Sequence, residues 1–173
     1  FLFLGRLMAE KGVETLARAH QRMTRPAGLK IVGGGPLLAH LGQHYPNAEL
    51  LGFKQGEALL DLLRHAKAVV VPSEWYENCS MSVLEAMAHG CIPLLSDLPA
   101  NRELVQDRQN GWIVPQEWGV TSRAQEDVAD EAVVLPALLA QAADIAAHNR
   151  NWVRQHGLFP SAVQQLMQIL QSL

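Results

Sequence analysis

Short apolar runs recur along the chain, at residues 1–4, 29–32, 49–51, 68–71, 92–95 and 112–114. Most are too uniformly apolar to alternate, which is the pattern of strands covered on both faces. Helix-length stretches separate them. Val13, Leu16, Ala17 and His20 share one helical face, and so do Leu59, Leu62, Leu63 and Ala66. Strand–helix alternation of this kind predicts an α/β fold, a Rossmann-like doubly wound parallel sheet of about six strands. In such a sheet ligands bind beyond the carboxyl ends of the strands.

The rhythm breaks after residue 114. Residues 115–131 are polar and predict an exposed loop. Leu135, Leu138, Leu139, Ala142, Ile145 and Ala146 then form a helical stripe, and Val163, Leu166, Met167 and Leu170 form another. Ser161 with Gln164 fits a capping box at the start of that last helix. Helices over about 132–173 therefore close the chain, and no internal repeat or low-complexity tract is present.

Composition narrows the class. A chain of 173 residues is the length of one domain, here 1–173, and is large enough for a real core. Lys and Arg number 14 against 17 Asp and Glu, a net charge of -3, so no basic excess points to nucleic acid. No apolar run approaches the roughly 20 residues of a membrane span. No basic-then-apolar leader is seen, so a soluble cytoplasmic domain is expected. Cys79 and Cys91 are too few for a disulfide scaffold and too far apart for a C-x-x-C site. The chain opens on Phe1, already inside a strand-like run, as expected of a piece of a longer polypeptide.

Three stretches carry candidate chemistry. Gly5-Arg6-Leu7-Met8-Ala9-Glu10-Lys11-Gly12 leads out of the first strand into a helix. Guanidinium, ammonium and free backbone N–H groups at such a place suit an anion, although Arg6 and Lys11 also read as solvated charges. Gly33-Gly34-Gly35-Pro36 lacks both the P-loop and the G-x-G-x-x-G pattern and reads as a tight turn beside the ligand cleft. The third stretch runs from Val71-Pro72-Ser73 through Trp75-Tyr76-Glu77-Asn78-Cys79-Ser80 into Met81-Ser82-Val83-Leu84-Glu85-Ala86-Met87-Ala88-His89-Gly90. Glu77 and Glu85 bracket the helix start, and a carboxylate accepts from vicinal sugar hydroxyls. Two other readings stand beside this. Ser82-x-x-Glu85 is also a capping box, and Glu77 also reads as a loop carboxylate facing water.

His40 and His44, four apart on a helix, lack a third metal ligand and read as a solvated helix face. Cys79 and His89 have no reason to meet. There is no D-x-D to chelate a metal-bound diphosphate.

Gly5-Arg6 to Lys11-Gly12, Pro72-Ser73, and Glu77 spaced seven residues from Glu85-Ala86-Met87-Ala88-x-Gly90-x-x-Pro93 together resemble the retaining glycosyltransferases of family four. Asn110-Gly111-Trp112-Ile113-Val114 fits the family's strand pattern, so the resemblance covers residues 1 to about 114. It implies the C-terminal, nucleotide-sugar-binding half of a GT-B fold. By this resemblance Arg6 and Lys11 neutralise the donor diphosphate. Glu77 holds hydroxyls of the sugar and Glu85 those of the ribose. Backbone N–H groups around Ser80, Met81 and Ser82 meet the distal phosphate, and Phe53 and Lys54 meet the base. Arg6, Lys11 and Glu77 are thus the expected catalytic residues, with no metal and no cofactor beside the nucleotide-sugar substrate. Cys79-Ser80 stands where the family more often has Phe-Gly, and residues 115–131 depart from its spacing.

The resemblance further implies a hexosyltransferase acting on a saccharide or lipid-linked acceptor. The acceptor-binding N-terminal domain would be missing from this chain, leaving the isolated chain inactive. It also leaves room for peripheral membrane association of a full-length protein. Trp75-Tyr76-Glu77-Asn78 is similar to members that build bacterial surface polysaccharides. Two alternatives remain: an inactive sugar-nucleotide-binding module with a regulatory or assembly role, and a glycogen-synthase-like or sucrose-type member of the same fold.

Overall fold

A computed structural model describes residues 1–23, 27–75, 80–114 and 131–156, with side chains in the last segment described for 141–155. The elements alternate along the chain. β1 (Leu2–Leu4) is followed by a 3-10 turn (Ala9–Lys11) and α1 (Val13–Arg22). β2 (Leu29–Val32), α2 (Leu38–His44), β3 (Ala48–Gly52), α3 (Glu57–His65) and β4 (Ala68–Val71) come next. α4 (Met81–Ala88), β5 (Ile92–Ser96), α5 (Pro99–Leu104), β6 (Trp112–Val114) and α6 (Glu131–His156) complete the order.

The sheet has six strands in the order β3-β2-β1-β4-β5-β6. Every paired neighbour is parallel, as Leu2 beside Lys30, Ala68 beside Ile92 and Leu94 beside Trp112 illustrate. This is the doubly wound, Rossmann-like architecture that the apolar runs predict. The strands extend past those runs by a residue or two at β3 and β5, because ladder pairing recruits polar Ser96 opposite Val114. Asn110 and Gly111 lead into β6 as the sequence pattern suggests, with Asn110 buried.

Both faces are covered, which explains why the strands read as continuous apolar runs. On one face Phe3, Leu29 and Ile31 pack with Val13 and Ala17 of α1 and Leu41 of α2. On the other, Leu2, Val69 and Val71 pack with Leu63 of α3 and with Val83, Leu84, Ala86 and Met87 of α4. β1 supplies both cores from adjacent residues, since successive side chains of a strand point to opposite faces. Within α6, Ile145 joins Ala68, Ile92 and Trp112, while Trp152 and Val153 reach the α4 side.

A polar residue sits in that apolar stripe. Asn149 is fully buried, and its Nδ2 donates to the carbonyls of Asn110 (2.9 Å) and Cys91 (3.2 Å). It ties α6 to the starts of β5 and β6. Cys91 is itself enclosed, its thiol donating to the Leu63 carbonyl at 3.2 Å, and burial pushes that thiol up to about 11. Neither cysteine chemistry nor a thiol pair is served by such a group; Cys79 lies outside the described residues. The predicted loop over 115–131 lies outside them except for Glu131, which is the first residue of α6, and the predicted last helix with its Ser161–Gln164 cap lies outside them too. Among the described residues no helix is long and apolar enough to cross a membrane.

Replacing Asn149 by Ala leaves two buried carbonyls short of a donor. The expected loss is about 1–3 kcal/mol of stability, read as a lower midpoint in denaturant unfolding with the native circular-dichroism spectrum retained.

Candidate functional site at the carboxyl rim

The loops that leave β1, β2, β3 and β4 lie along one rim of the sheet, laced together by main-chain hydrogen bonds. Gly5 N–H donates to Val32 C=O and Leu7 N–H to Gly34 C=O, both at 3.0 Å. Gly33 N–H donates to Gly52 C=O at 2.9 Å. Gly33 has φ 146°, and a Cβ built there would stand 1.8 Å from the Gly5 carbonyl oxygen. The Gly33-Gly34-Gly35 turn is therefore a packing device for the neighbouring loop, which only a residue without a side chain can supply.

The same constraint recurs at Gly12. Its φ of 64° is left-handed, and it closes the 3-10 turn by donating to Ala9 C=O at 2.9 Å. It also accepts the first main-chain bond of α1, from Leu16 at 3.0 Å. A Cβ at this position would lie 1.9 Å from the backbone oxygen of Pro72, just past β4. The turn that carries Lys11 thus rests directly on the loop after β4. From there the loop is held on its other side, where Ser96 Oγ donates to the carbonyl of buried Ser73 at 2.7 Å and Asn101 Nδ2 to Ser96 C=O at 2.8 Å.

Between β1 and α4 this arrangement leaves a cavity of about 310 Å³, lined by Leu4, Gly5, Arg6, Lys11, Val71 and Ser80 to Ser82, with Phe3 behind. It lies where the strand order reverses, with β2 on one side of β1 and β4 on the other, the place where doubly wound sheets bind ligands. A larger cavity of about 550 Å³ opens at the amino ends, around Leu29, Ala68 and Ile92. Its charges are largely paired with each other, Lys30 with Glu49 at 3.9 Å and His65 with Asp61 at 3.3 Å. Topology and charge therefore favour the smaller cavity as the site.

Chemically, that cavity is a place for an anion. Arg6 is exposed and Lys11 partly buried at its wall, and no carboxylate is among its described lining residues. The first N–H groups of α4 have no intrahelical acceptor and carry the positive end of the helix dipole. Among the described residues no side chain caps them: Ser80, the N-cap, makes a 2.9 Å hydrogen bond with the Ser82 hydroxyl.

This corrects one reading of the sequence. With Ser80 at the N-cap, Ser82 is already the second helical residue, so Ser82 and Glu85 do not form a capping box. Glu85 is exposed one turn further along, on the same side as exposed Met81. Arg6, Lys11, Ser80, Met81 and Ser82 are brought together. Phe53 and Lys54 are not in that cavity: they follow β3, beyond the glycine turn on the same rim, with Phe53 74% exposed. Glu77 lies outside the described residues.

His40 departs in part from the reading of a solvated face, which exposed His44 keeps. Their rings stack at 4.2 Å, and His40 Nε2 stands 3.0 Å from Glu14 Oε1, which also accepts from the Tyr45 hydroxyl at 3.1 Å. Through His40 and Tyr45, α2 is clasped to α1. No group of three metal-ligating side chains occurs among the described residues. The sequence held no signal for this clasp, because its partners lie 26 and 31 residues apart. Thr15, Glu74, Ser96 and Asn101 escaped notice for the same reason.

Residues 1–135 match the family model described as glycosyl transferases group 1. An uncharacterised glycosyltransferase of Methanocaldococcus jannaschii is 34% identical over 134 residues, covering 69% of this chain and 34% of that protein. A GDP-mannose-dependent alpha-mannosyltransferase of Corynebacterium glutamicum is 30% identical over 147 residues, 85% of this chain and 32% of the relative. The chain thus spans about a third of the length of these curated relatives. Among solved structures, HepE of Anabaena in complex with UDP-glucose has a TM-score of 0.77 at 20% identity, covering 99% of this chain and 48% of that one. TarM gives 0.76 at 18%, covering 96% and 34%. At these identities the likeness is one of fold, that of GT-B glycosyltransferases.

Two outcomes follow from this geometry. Gly12→Ala forces a methyl group into the Pro72 carbonyl at a left-handed φ, and is expected to cost at least about 2 kcal/mol, measured by denaturant unfolding. Glu14 behaves differently with pH. The hydrogen bond from His40, opposed by desolvation and helped by Tyr45, holds its carboxyl below the ordinary value of 4.5. A depressed carboxylate contributes stability above its unfolded pKa and loses it as pH falls through the folded one. Glu14→Gln should therefore lower Tm at pH 7, and the deficit should shrink below about pH 4 in a calorimetric pH series.

Proposed function

This chain belongs to the group 1 glycosyl transferases, and we propose that it is their nucleotide-sugar-binding domain, holding a donor diphosphate in the cavity between β1 and α4. One observation carries the reading: two cations and the N-terminus of α4 converge on a cavity at the switch point of the sheet whose described lining holds no carboxylate. Hydrogen bonds from guanidinium, ammonium and backbone N–H to phosphate oxygens are of the strong, charge-assisted kind.

The chemistry follows from where charge develops. As the anomeric C–O bond of the donor breaks, negative charge grows on the departing diphosphate. Arg6, Lys11 and the N–H groups of α4 oppose it in place, without reorganising. Cationic side chains in this role, with no D-x-D in the chain, support metal-independent transfer. The family resemblance supports retention of anomeric configuration, with Glu77 on sugar hydroxyls. Exposed Glu85, freed of any capping duty, suits ribose hydroxyls. Phe53 and Lys54 lie further along the rim, where a base attached to the ribose extends.

The acceptor is a saccharide or a lipid-linked acceptor, held by a part of the enzyme outside this chain, and the product a bacterial surface polysaccharide. The acceptor hydroxyl must be fixed in near-attack geometry and water excluded, effects worth about 7–11 kcal/mol of barrier for positioning alone. The chain by itself, a donor wall open to solvent, binds donor weakly and transfers nothing.

Isothermal titration with UDP and GDP tests the reading, with uridine and guanosine as controls. Arg6→Ala and Lys11→Ala should each weaken diphosphate binding by about 1–3 kcal/mol, leave nucleoside binding unchanged, and do so equally in EDTA. Equal losses for nucleoside and nucleotide, or no binding of either nucleotide, would overturn it.

A further inference from the structure

Lys11 reaches the cavity from a turn, and turns are the least rigid places from which to hold a charge at a fixed point. Three contacts bear on that turn. Gly12 rests against the Pro72 backbone, as described above. Glu74, two residues further along the loop after β4, donates its backbone N–H to the carbonyl of Glu10 at 2.9 Å. Its carboxylate Oε1 accepts a hydrogen bond from Thr15 Oγ1 at 3.0 Å. Glu10 immediately precedes Lys11, and Thr15 is on the first turn of α1 behind it. Glu74 therefore grips the Lys11 turn on both sides, with its main chain before the lysine and its side chain after it.

Stability alone gives little reason for this arrangement. The Thr15–Glu74 bond is at the surface, where a single hydrogen bond contributes little to folding. A carboxylate is also an unfavourable neighbour for an anion site, which suggests that its acceptor geometry, not its charge, is what the site uses. The clasp joins the two loops that form opposite walls of the cavity, one carrying Arg6 and Lys11 and the other continuing to Ser80 and α4.

We propose that Glu74 is a positioning residue, which, through its paired hydrogen bonds to Glu10 and Thr15, fixes the place of the Lys11 turn at the cavity wall and so how well Lys11 meets a bound diphosphate. The inference rests on the reading of that cavity as a diphosphate site. Removing the side-chain half of the clasp frees the helical side of the turn while leaving every cavity-lining side chain in place.

The test uses the whole chain and the probes UDP, GDP, uridine and guanosine, in calorimetry beside thermal unfolding. Thr15→Val, which is nearly isosteric but has no donor, should weaken diphosphate binding about fivefold with Tm and nucleoside binding unchanged. Thr15→Ser should restore it. Glu74→Ala should resemble Thr15→Val, whereas Glu74→Gln, whose amide oxygen still accepts from Thr15, should bind as the parent does or more tightly. If Glu74→Ala and Glu74→Gln both tighten binding, the carboxylate acts only as a repelling charge and the inference fails. It fails as well if Thr15→Val binds UDP and GDP like the parent, or if its losses track a fall in Tm. A parent chain that binds neither nucleotide removes the functional reading itself, a result distinct from parental binding that the variants leave untouched.

Discussion

Where β1 and β4 end, two stretches of main chain meet with nothing between them. Gly12 lies so close to the carbonyl of Pro72 that a single added carbon would overlap it, and its left-handed φ closes one turn while opening a helix. The rest of the rim is built on that approach. It brings Lys11 over the end of β4, lets Glu74 reach back to Glu10 and Thr15, and sets the wall opposite Ser80. Glycine is required for a geometric reason, not for flexibility: backbone must touch backbone for the two loops to share one cavity.

The electrostatic character of the cavity comes from what is withheld as much as from what is supplied. The α4 N-cap serine turns its hydroxyl toward Ser82, and no described side chain caps the helix end. No acidic residue occupies the first turn of α4. Three carboxylates of the neighbouring elements have partners of their own: Glu14 with His40 and Tyr45, Glu74 with Thr15, and Asp97 with Arg102, whose guanidinium holds the Asp97 carboxyl below its usual range. Among the described lining residues, Arg6, Lys11 and the helix dipole give the cavity its positive character.

Support for this rim extends into the body of the sheet. Ser73, Ser96 and Asn101 form a buried relay that fixes the loop after β4 against β5 and α5. At the amino ends, Asn149 of α6 does the equivalent for β5 and β6. Polar side chains buried in this way are costly unless bonded; Asn149 bonds through Nδ2, while its buried Oδ1 has no partner among the described residues. The long helix α6 is thus a strut for the sheet, while the short loops at the carboxyl rim line the cavity between β1 and α4.

Much of the architecture was legible in the linear chain. Apolar runs of three or four residues separated by amphipathic stretches are enough to imply a parallel sheet covered on both faces, because that pattern has few other ways to bury itself. Arg6 and Lys11 could be placed on the rim from the same reading, since they lie in the stretch that leads out of β1, while the place of Ser80 to Ser82 comes from the family resemblance. The helix start was not legible at one-residue precision: Ser82-x-x-Glu85 has the spacing of a capping box, but the chain enters α4 at Ser80, and only the path of the preceding loop decides that. Nor were the contacts of Gly12 with Pro72, Glu74 with Thr15, or His40 with Glu14, which join residues 60, 59 and 26 positions apart. Periodicity reports which face of an element is buried, a property local to that element. Which loop touches which depends on strand order in the sheet, and that order is fixed only when the whole chain has packed.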